Sequence, residues 1–385
     1  MPQPGVGTLL LRSSGTPRRI IRASIGHDLC YTCGGDGPAV RTRSSSLKKL
    51  TFKLVKIGIS LGILAFLVVQ AQKNDVFEEL QQRPRHWGLL AAACGVCFVA
   101  VAITLVRWYW LVRALDLPFR LQEALRLGFL SYLFNLAPMG IVGGDVLKAV
   151  MLARRQAGRR AEAVATVVMD RLIGLYVLFL VASAAILLTG LWQSDVRSVQ
   201  ITCRVALWLT AAGTVLVAVL LLPGISGGRL TELCGRLPYV GPALKRLIEA
   251  VRMYRLRLPT LALSAAVTVA VHSLFALGIY LIARGLFDRV QPLATHFVIV
   301  PLSMATGVLP IFIGPFELVL NLLYASIPLP NAPPGLDHIL AGQGFVVALG
   351  YRIATVLIAA VGVCYYLGSR QEVAEVMHEA EAAQP

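Results

Sequence analysis

Long apolar runs alternating with basic clusters set the pattern of this chain. The runs occupy about 54–71, 87–113, 163–191, 204–222, 261–286 and 343–367. Each reaches the ~18 residues that mark a membrane-crossing helix. The pattern therefore predicts an all-α polytopic membrane protein with about six full spans. Lysines and arginines gather on alternate connections. Lys48, Lys49, Lys53 and Lys56 flank the first span, Arg154, Arg155, Arg159 and Arg160 precede the third, and 223–260 holds seven more basic residues. Excess positive charge marks the cytoplasmic side, which places the N-terminus inside. The connections "KNDVFEELQQRPRH" and "IPLPNAPPGLDHILAG" fit the opposite side.

Two apolar regions break this regularity. Residues 124–137 are too short to cross and run into "LAPMGIVGGDVLKAV" at 136–150. Residues 294–313 are interrupted by proline and glycine, among them Pro301, Gly307 and Pro310. Irregular backbone at membrane depth is tolerated only where protein or a wet cavity covers it, so each region predicts a re-entrant hairpin. The two match. Pro138 precedes Asp145 by seven residues, and Pro310 precedes Glu317 by seven. Gly143 and Gly144 lead into the first acid, and Gly314 into the second. The span after each hairpin carries an arginine in its first half, Arg171 and Arg352. With the charge-derived topology the two units are opposed, the pattern of an inverted repeat whose broken helices meet near the bilayer midplane.

The residue types suit a binding site more than a turn alone. Glycine and proline shape the hairpin turns at Pro138, Gly143, Gly144, Pro310 and Gly314. Asp145 and Glu317 fit two roles: first-turn acids that satisfy a helix start, or partners of an intramembrane cation. An arginine inside an apolar span costs at least ~2.5 kcal/mol and faces a partner or a wet cavity. Arg171 and Arg352 either lock each hairpin to its following span by pairing with its acid, or bind a lipid phosphate through the guanidinium fork. Asp145, Lys148, Arg171, Glu317 and Arg352 form the candidate substrate-binding set. Asp170 points to another helix face than Arg171, since neighbours diverge by ~100°. Arg107, beside Trp108, Tyr109 and Trp110, reads as a snorkelling residue in an interfacial aromatic belt. His272 reads as a hydrogen-bonded packing residue.

Composition agrees with the membrane class: of 385 residues, 57% are hydrophobic and 15% charged, and mean hydropathy is +0.71. The formal net charge of +16 sits between spans, which points to anionic headgroups at the inner surface and not to nucleic acid. Residues 1–47 lack periodicity and read as a disordered basic cytoplasmic tail, and 371–385 as a polar cytoplasmic tail. Cys30 and Cys33 are half of a zinc motif without a second pair nearby, and Cys94 and Cys97 fit apolar packing. No cofactor or metal site is expected. HExxH and a Walker loop are missing from the sequence, and no catalytic residue is assigned.

The stretches "NLAPMGIVGGDVLKAVMLAR", "AVATVVMDRLIGL", "GVLPIFIGPFELVL" and "GYRIATVL" resemble the flippase-like transmembrane domain of bacterial lysylphosphatidylglycerol synthases and its stand-alone relatives. The resemblance covers roughly 50–370 and makes 48–370 one flippase-like domain. Pro138, Gly143, Gly144, Asp145 and Lys148 match the first family motif. Asp170-Arg171 stands where the family carries Glu-Arg. The later motif keeps Pro310, Gly314 and Glu317 but has Pro315 in place of a glycine. The resemblance implies movement of a lipid, often an aminoacylated or glycosylated phospholipid, between leaflets of a bacterial plasma membrane, and the expected partner is an anionic or aminoacylated membrane phospholipid. The synthases' cytosolic aminoacyl-transferase domain has no counterpart in the ~18 residues after the last span, so that activity is expected to be absent. Two other functions fit the same residues: an intramembrane transferase using Asp145 or Glu317 as base, and a non-transporting subunit that recruits a lipid-modifying enzyme.

Overall fold

The computed structural model describes residues 41–82, 84–136, 143–156, 158–221, 241–309, 311, 313–330 and 338–382. The chain divides into two compact units, 1–51 and 52–385. Of the first, only the helical backbone of 41–51 is described; the tail expected to be disordered over 1–47 is helical at 41–47, and its remainder lies outside the described residues. All that follows concerns the second unit.

The described residues fold into helices. In chain order they are α1 (Arg41–Lys73), α2 (Val76–Gln82), α3 (Trp87–Ala114), α4 (Leu121–Leu136), α5 (Gly144–Arg155), α6 (Arg160–Thr189), α7 (Arg197–Leu221), α8 (Gly241–Tyr254), α9 (Leu258–Leu286), α10 (Leu293–Ala305), α11 (Pro315–Ser326), α12 (Gln343–Leu367) and α13 (Arg370–Ala382). Five stretches among them are long and apolar enough to cross a membrane: Trp87–Ala114, Arg160–Thr189, Arg197–Leu221, Ile248–Leu286 and Gln343–Leu367. The first expected span falls in α1, whose apolar part, Gly58–Lys73, is shorter. Apolar side chains point outward as well as inward; Leu188 is 88% and Trp208 76% exposed. Outward apolar surface of this kind is what a lipid solvent stabilises.

Two four-helix units exchange equivalent contacts. The first is α3–α6 and the second α9–α12. Their leading helices α3 and α9 pack on one another along their length, with small residues such as Ala93, Cys97, Ala276 and Gly278 allowing close approach. α6 then packs on α10 of the other unit, and α12 packs on α4. Each unit thus lays its last helix against the other's second helix, a reciprocal arrangement of the kind a twofold relation generates. One apolar core gathers residues of α9–α12, including Ile279, Val298, Leu320 and Phe345. A second gathers residues of α3–α6, with Ile248 and Tyr254 of α8 sealing it.

The segment expected as a polar tail contains α13, which docks on α5 and α12. Val373 and Val376 are buried, while Glu372 accepts hydrogen bonds from Arg126 on α4 and Arg155 on α5. Ser369 receives the Arg126 Nε proton at 3.0 Å.

Candidate functional site

The expected hairpins fall on two helix pairs, α4–α5 and α10–α11, and residues 137–142 between the first pair lie outside the described residues. Pro138 and Pro310 lie outside the described residues. In the first unit Asn135, near the end of α4, turns its Oδ1 to accept the Gly144 N–H at 2.9 Å, so a side chain of one arm caps the start of the other. Gly144 is obligatory here. A Cβ would stand 1.8 Å from the Ser131 carbonyl oxygen, whereas at Gly143 the nearest atom would be 3.8 Å away.

α5 and α6 are clasped by two ion contacts. Asp145, in the first turn of α5, accepts an Arg171 terminal N–H at 2.5 Å. One turn on, Lys148 Nζ lies 3.5 Å from Asp170 Oδ2. Their surroundings differ sharply. Asp145 and Arg171 side chains are 36% and 60% exposed, while those of Lys148 and Asp170 are 5% and 4%. Lys148 is further held over the Trp108 ring, 3.9 Å from its centroid, and the Trp108 indole N–H is fixed on Thr166 Oγ1.

The interior contact extends to α3 and α9. Arg107 donates to Asp170 Oδ1 through Nε at 3.1 Å and a terminal nitrogen at 2.8 Å, and to the Asp170 carbonyl at 3.2 Å. Its other terminal nitrogen reaches Thr268 Oγ1 at 2.6 Å. Arg107 is therefore not an interfacial snorkelling residue. It is buried because Asp170 supplies the counter-charge that a lipid-facing guanidinium would lack. His272, one turn beyond Thr268, hydrogen-bonds the Gly174 carbonyl through Nε2 at 3.1 Å.

The second unit answers the same problem with one residue. Gly314 has φ +115°, a region that favours glycine, and a Cβ there would press on Ile63 of α1 at 3.1 Å. Glu317 Oε2 accepts the Gly314 N–H at 2.8 Å. Its Oε1 accepts Arg352 Nε at 3.0 Å and a second Arg352 N–H. Glu317 thus both satisfies the helix start and pairs with the following span, and it is buried. Pro315 opens the helix at a position where a missing N–H costs nothing. A cavity of about 170 Å³ adjoins Arg352, lined by Met304, Thr306, Ile311, Phe316 and Tyr351 among others.

Each acid therefore meets the arginine that the sequence set beside it, and Lys148 turns inward to Asp170. Arg107, Asp170 and Thr268 are central residues that sequence reasoning missed. The usable signal was the presence of two opposite charges, Arg107 and Asp170, each inside an apolar run. Asn321 was missed as well: its Oδ1 caps the start of α12 by accepting the Gly342 and Phe345 N–H groups at 2.9 and 3.2 Å. Among the described residues no three His, Cys, Asp or Glu side chains converge as a metal site.

Broken helices, lipid-facing apolar surface and interior ion pairs define a multi-pass helical membrane protein. The family model described as the lysylphosphatidylglycerol synthase TM region matches residues 53–362. The chain belongs to that family, which ties it to membrane lipid. Neither a curated protein nor a solved structure matches it.

Proposed function

We propose that this protein is a lipid transporter that moves a phospholipid or lipid-linked headgroup between leaflets. The headgroup phosphate engages Arg171 and Arg352 in turn, while the acyl chains stay in lipid. The observation that carries this reading is the repeated acid–arginine contact, Asp145–Arg171 and Glu317–Arg352, at the start of the second arm of each broken helix. Such pairs hold their guanidinium groups in place yet can exchange a carboxylate for a phosphate of similar geometry. The reciprocal packing of α3–α6 and α9–α12 supplies two bodies that can rock about a shared site, as alternating access requires. We place the two units in opposed orientation across a bacterial plasma membrane with the N-terminus inside, on the strength of the basic connections. The bound lipid is the partner, and the protein itself changes no covalent bond.

Purified protein in liposomes with headgroup-labelled phospholipid tests this reading. Transport requires label to appear in the opposite leaflet with its mass unchanged. A covalently modified lipid would identify a transferase instead. Unmoved and unmodified lipid would leave a subunit that recruits another enzyme.

A further inference from the structure

The C-terminal helix α13 belongs by chain to one four-helix unit and by packing to the other. It follows α12, the last helix of α9–α12, after only Gly368 and Ser369. Its buried residues Val373 and Val376 nevertheless join the apolar core of α3–α6. Its acids reach the same unit. Glu372 accepts hydrogen bonds from Arg126 on α4 and Arg155 on α5, and Glu375 lies 4.0 Å from Arg154 on α5. The connector is tied down as well, since Ser369 takes the Arg126 Nε proton.

Just before α13 the two units touch. Gly362 of α12 lies so near α4 that a Cβ would stand 2.5 Å from the Phe129 carbonyl oxygen. Tyr365 and Tyr366 of α12 pack on Phe129 and Phe134 of α4, with ring centroids 6.2 and 6.1 Å apart. The helix α13 therefore ties α12 to the unit it touches, at the end of the bundle marked by Arg126, Arg154 and Arg155. A two-residue connector reaches at most ~7 Å when fully extended. Any larger parting of α4 from α12 at this end must pull Val373, Val376 and Glu372 off α3–α6. The hold is of a kind that can release. Glu372 and its two arginines are partly exposed, so each ion pair is weak alone, and the valines add a small apolar contact.

Building on the transport reading, we infer that α13 is an autoinhibitory strap that holds the inner ends of α4 and α12 together and must leave α4 and α5 before the two units part there. Alternating access needs that opening in every cycle. The strap's contacts are made only while the inner ends are together, so weakening them raises the open population. Docked α13 slows lipid movement, and its release speeds it.

The test compares wild type, Glu372→Gln and Val376→Asp as full chains in nanodiscs of phosphatidylcholine and phosphatidylglycerol at neutral pH, read by amide deuteration. The two variants loosen the strap by different chemistry, one through charge and one through apolar burial. Both are expected to speed deuteration of 370–376 and of the inner ends of α4 and α12, 121–127 and 362–367, with α3, α6 and α9 as protected as in the wild type. In proteoliposomes, headgroup-labelled phospholipid should change leaflets at least about threefold faster in both variants. Protection of 370–376 unchanged in both, or inner ends that stay protected once α13 is free, overturns the inference. Protection lost throughout the bundle in both variants marks a merely structural helix and also overturns it. Leaflet movement separates the two claims: inner ends that open while no lipid crosses in any of the three proteins contradict the transport reading alone, and movement in the wild type that neither variant accelerates contradicts this inference alone.

Discussion

Arg107 grips Asp170 across 63 residues of chain, placing two of its nitrogens on one carboxylate oxygen and one on the residue's own carbonyl. That contact fixes the rotation of α6 about its axis and so sets where the adjacent Arg171 points. Removing Arg107 leaves Asp170 with Lys148 at 3.5 Å as its remaining ion partner. Breaking a buried pair costs about 3–5 kcal/mol. Arg107→Met is expected to lower thermal stability in micelles by that order. Asp170→Asn should cost more than Lys148→Met, because it leaves two buried cations facing one another. Denaturation of the three variants, followed by tryptophan fluorescence, checks the order.

Gly143 and Gly144 are neighbours with opposite tolerance. Gly144→Ala drives a methyl into the Ser131 carbonyl and should separate α4 from α5. Overpacking typically costs about 1–3 kcal/mol and more where backbone must move, and this collision is with backbone. Gly143 has φ −70°, and among the described residues the nearest atom to an added Cβ is 3.8 Å away, so Gly143→Ala should change stability by less than about 1 kcal/mol. Comparable losses in the two variants would contradict the close approach of Gly144 to the Ser131 carbonyl.

Asp145 and Glu317 match in sequence but not in what they support. Asp145→Ala removes an open ion pair and should cost about 0.2–1 kcal/mol. Glu317→Ala strands a helix-start N–H and unpairs Arg352 from a carboxylate 1% exposed, so about 3–5 kcal/mol is expected. Glu317→Gln keeps an acceptor for Gly314 but loses the charge, and should fall between them. Melting curves for the three variants decide the order.

Docking of α13 depends on the ionised Glu372 carboxylate. Burial alone would raise the Glu372 carboxyl. The hydrogen bond from Arg155 and the charges of Arg126 and Arg155 outweigh it and hold Glu372 below the usual carboxylate range. A lowered native value means the unfolded state binds more protons in that window. The contribution is therefore complete above the unfolded glutamate value of about 4.3, and is lost as pH falls through the lower native one. Protease accessibility of the C-terminal helix should rise at acid pH in the wild type. Glu372→Gln should show high accessibility already at neutral pH and little further change.

Much of this fold was legible because its elements are single apolar helices. The last span is 343–367 in sequence and in structure, and Trp87 and Leu286 bound helices where apolar character begins and ends. The helix starts at Gly144 and Pro315 were legible because glycine and proline shape helix ends for local reasons. The acid–arginine pairs followed from asking each intramembrane charge for a partner. The Arg107–Asp170–Lys148 group was not legible, because hydropathy within one helix does not report which helices meet. Arg107 also had a local home among the aromatic residues beside it, and Asp170 was overshadowed by its neighbour Arg171. Lys148 lay in the same motif as Asp145, yet three residues along a helix bring it to a buried partner while Asp145 stays open.

The central claim is that these arginines carry a lipid phosphate through the membrane domain. The direct measurement is the leaflet-exchange rate of headgroup-labelled phospholipid in proteoliposomes bearing wild type, Arg171→Gln or Arg352→Gln, each first confirmed to be folded. Exchange in the wild type and at least a tenfold slower rate in each variant is the predicted result. Exchange at the wild-type rate in both folded variants would contradict it.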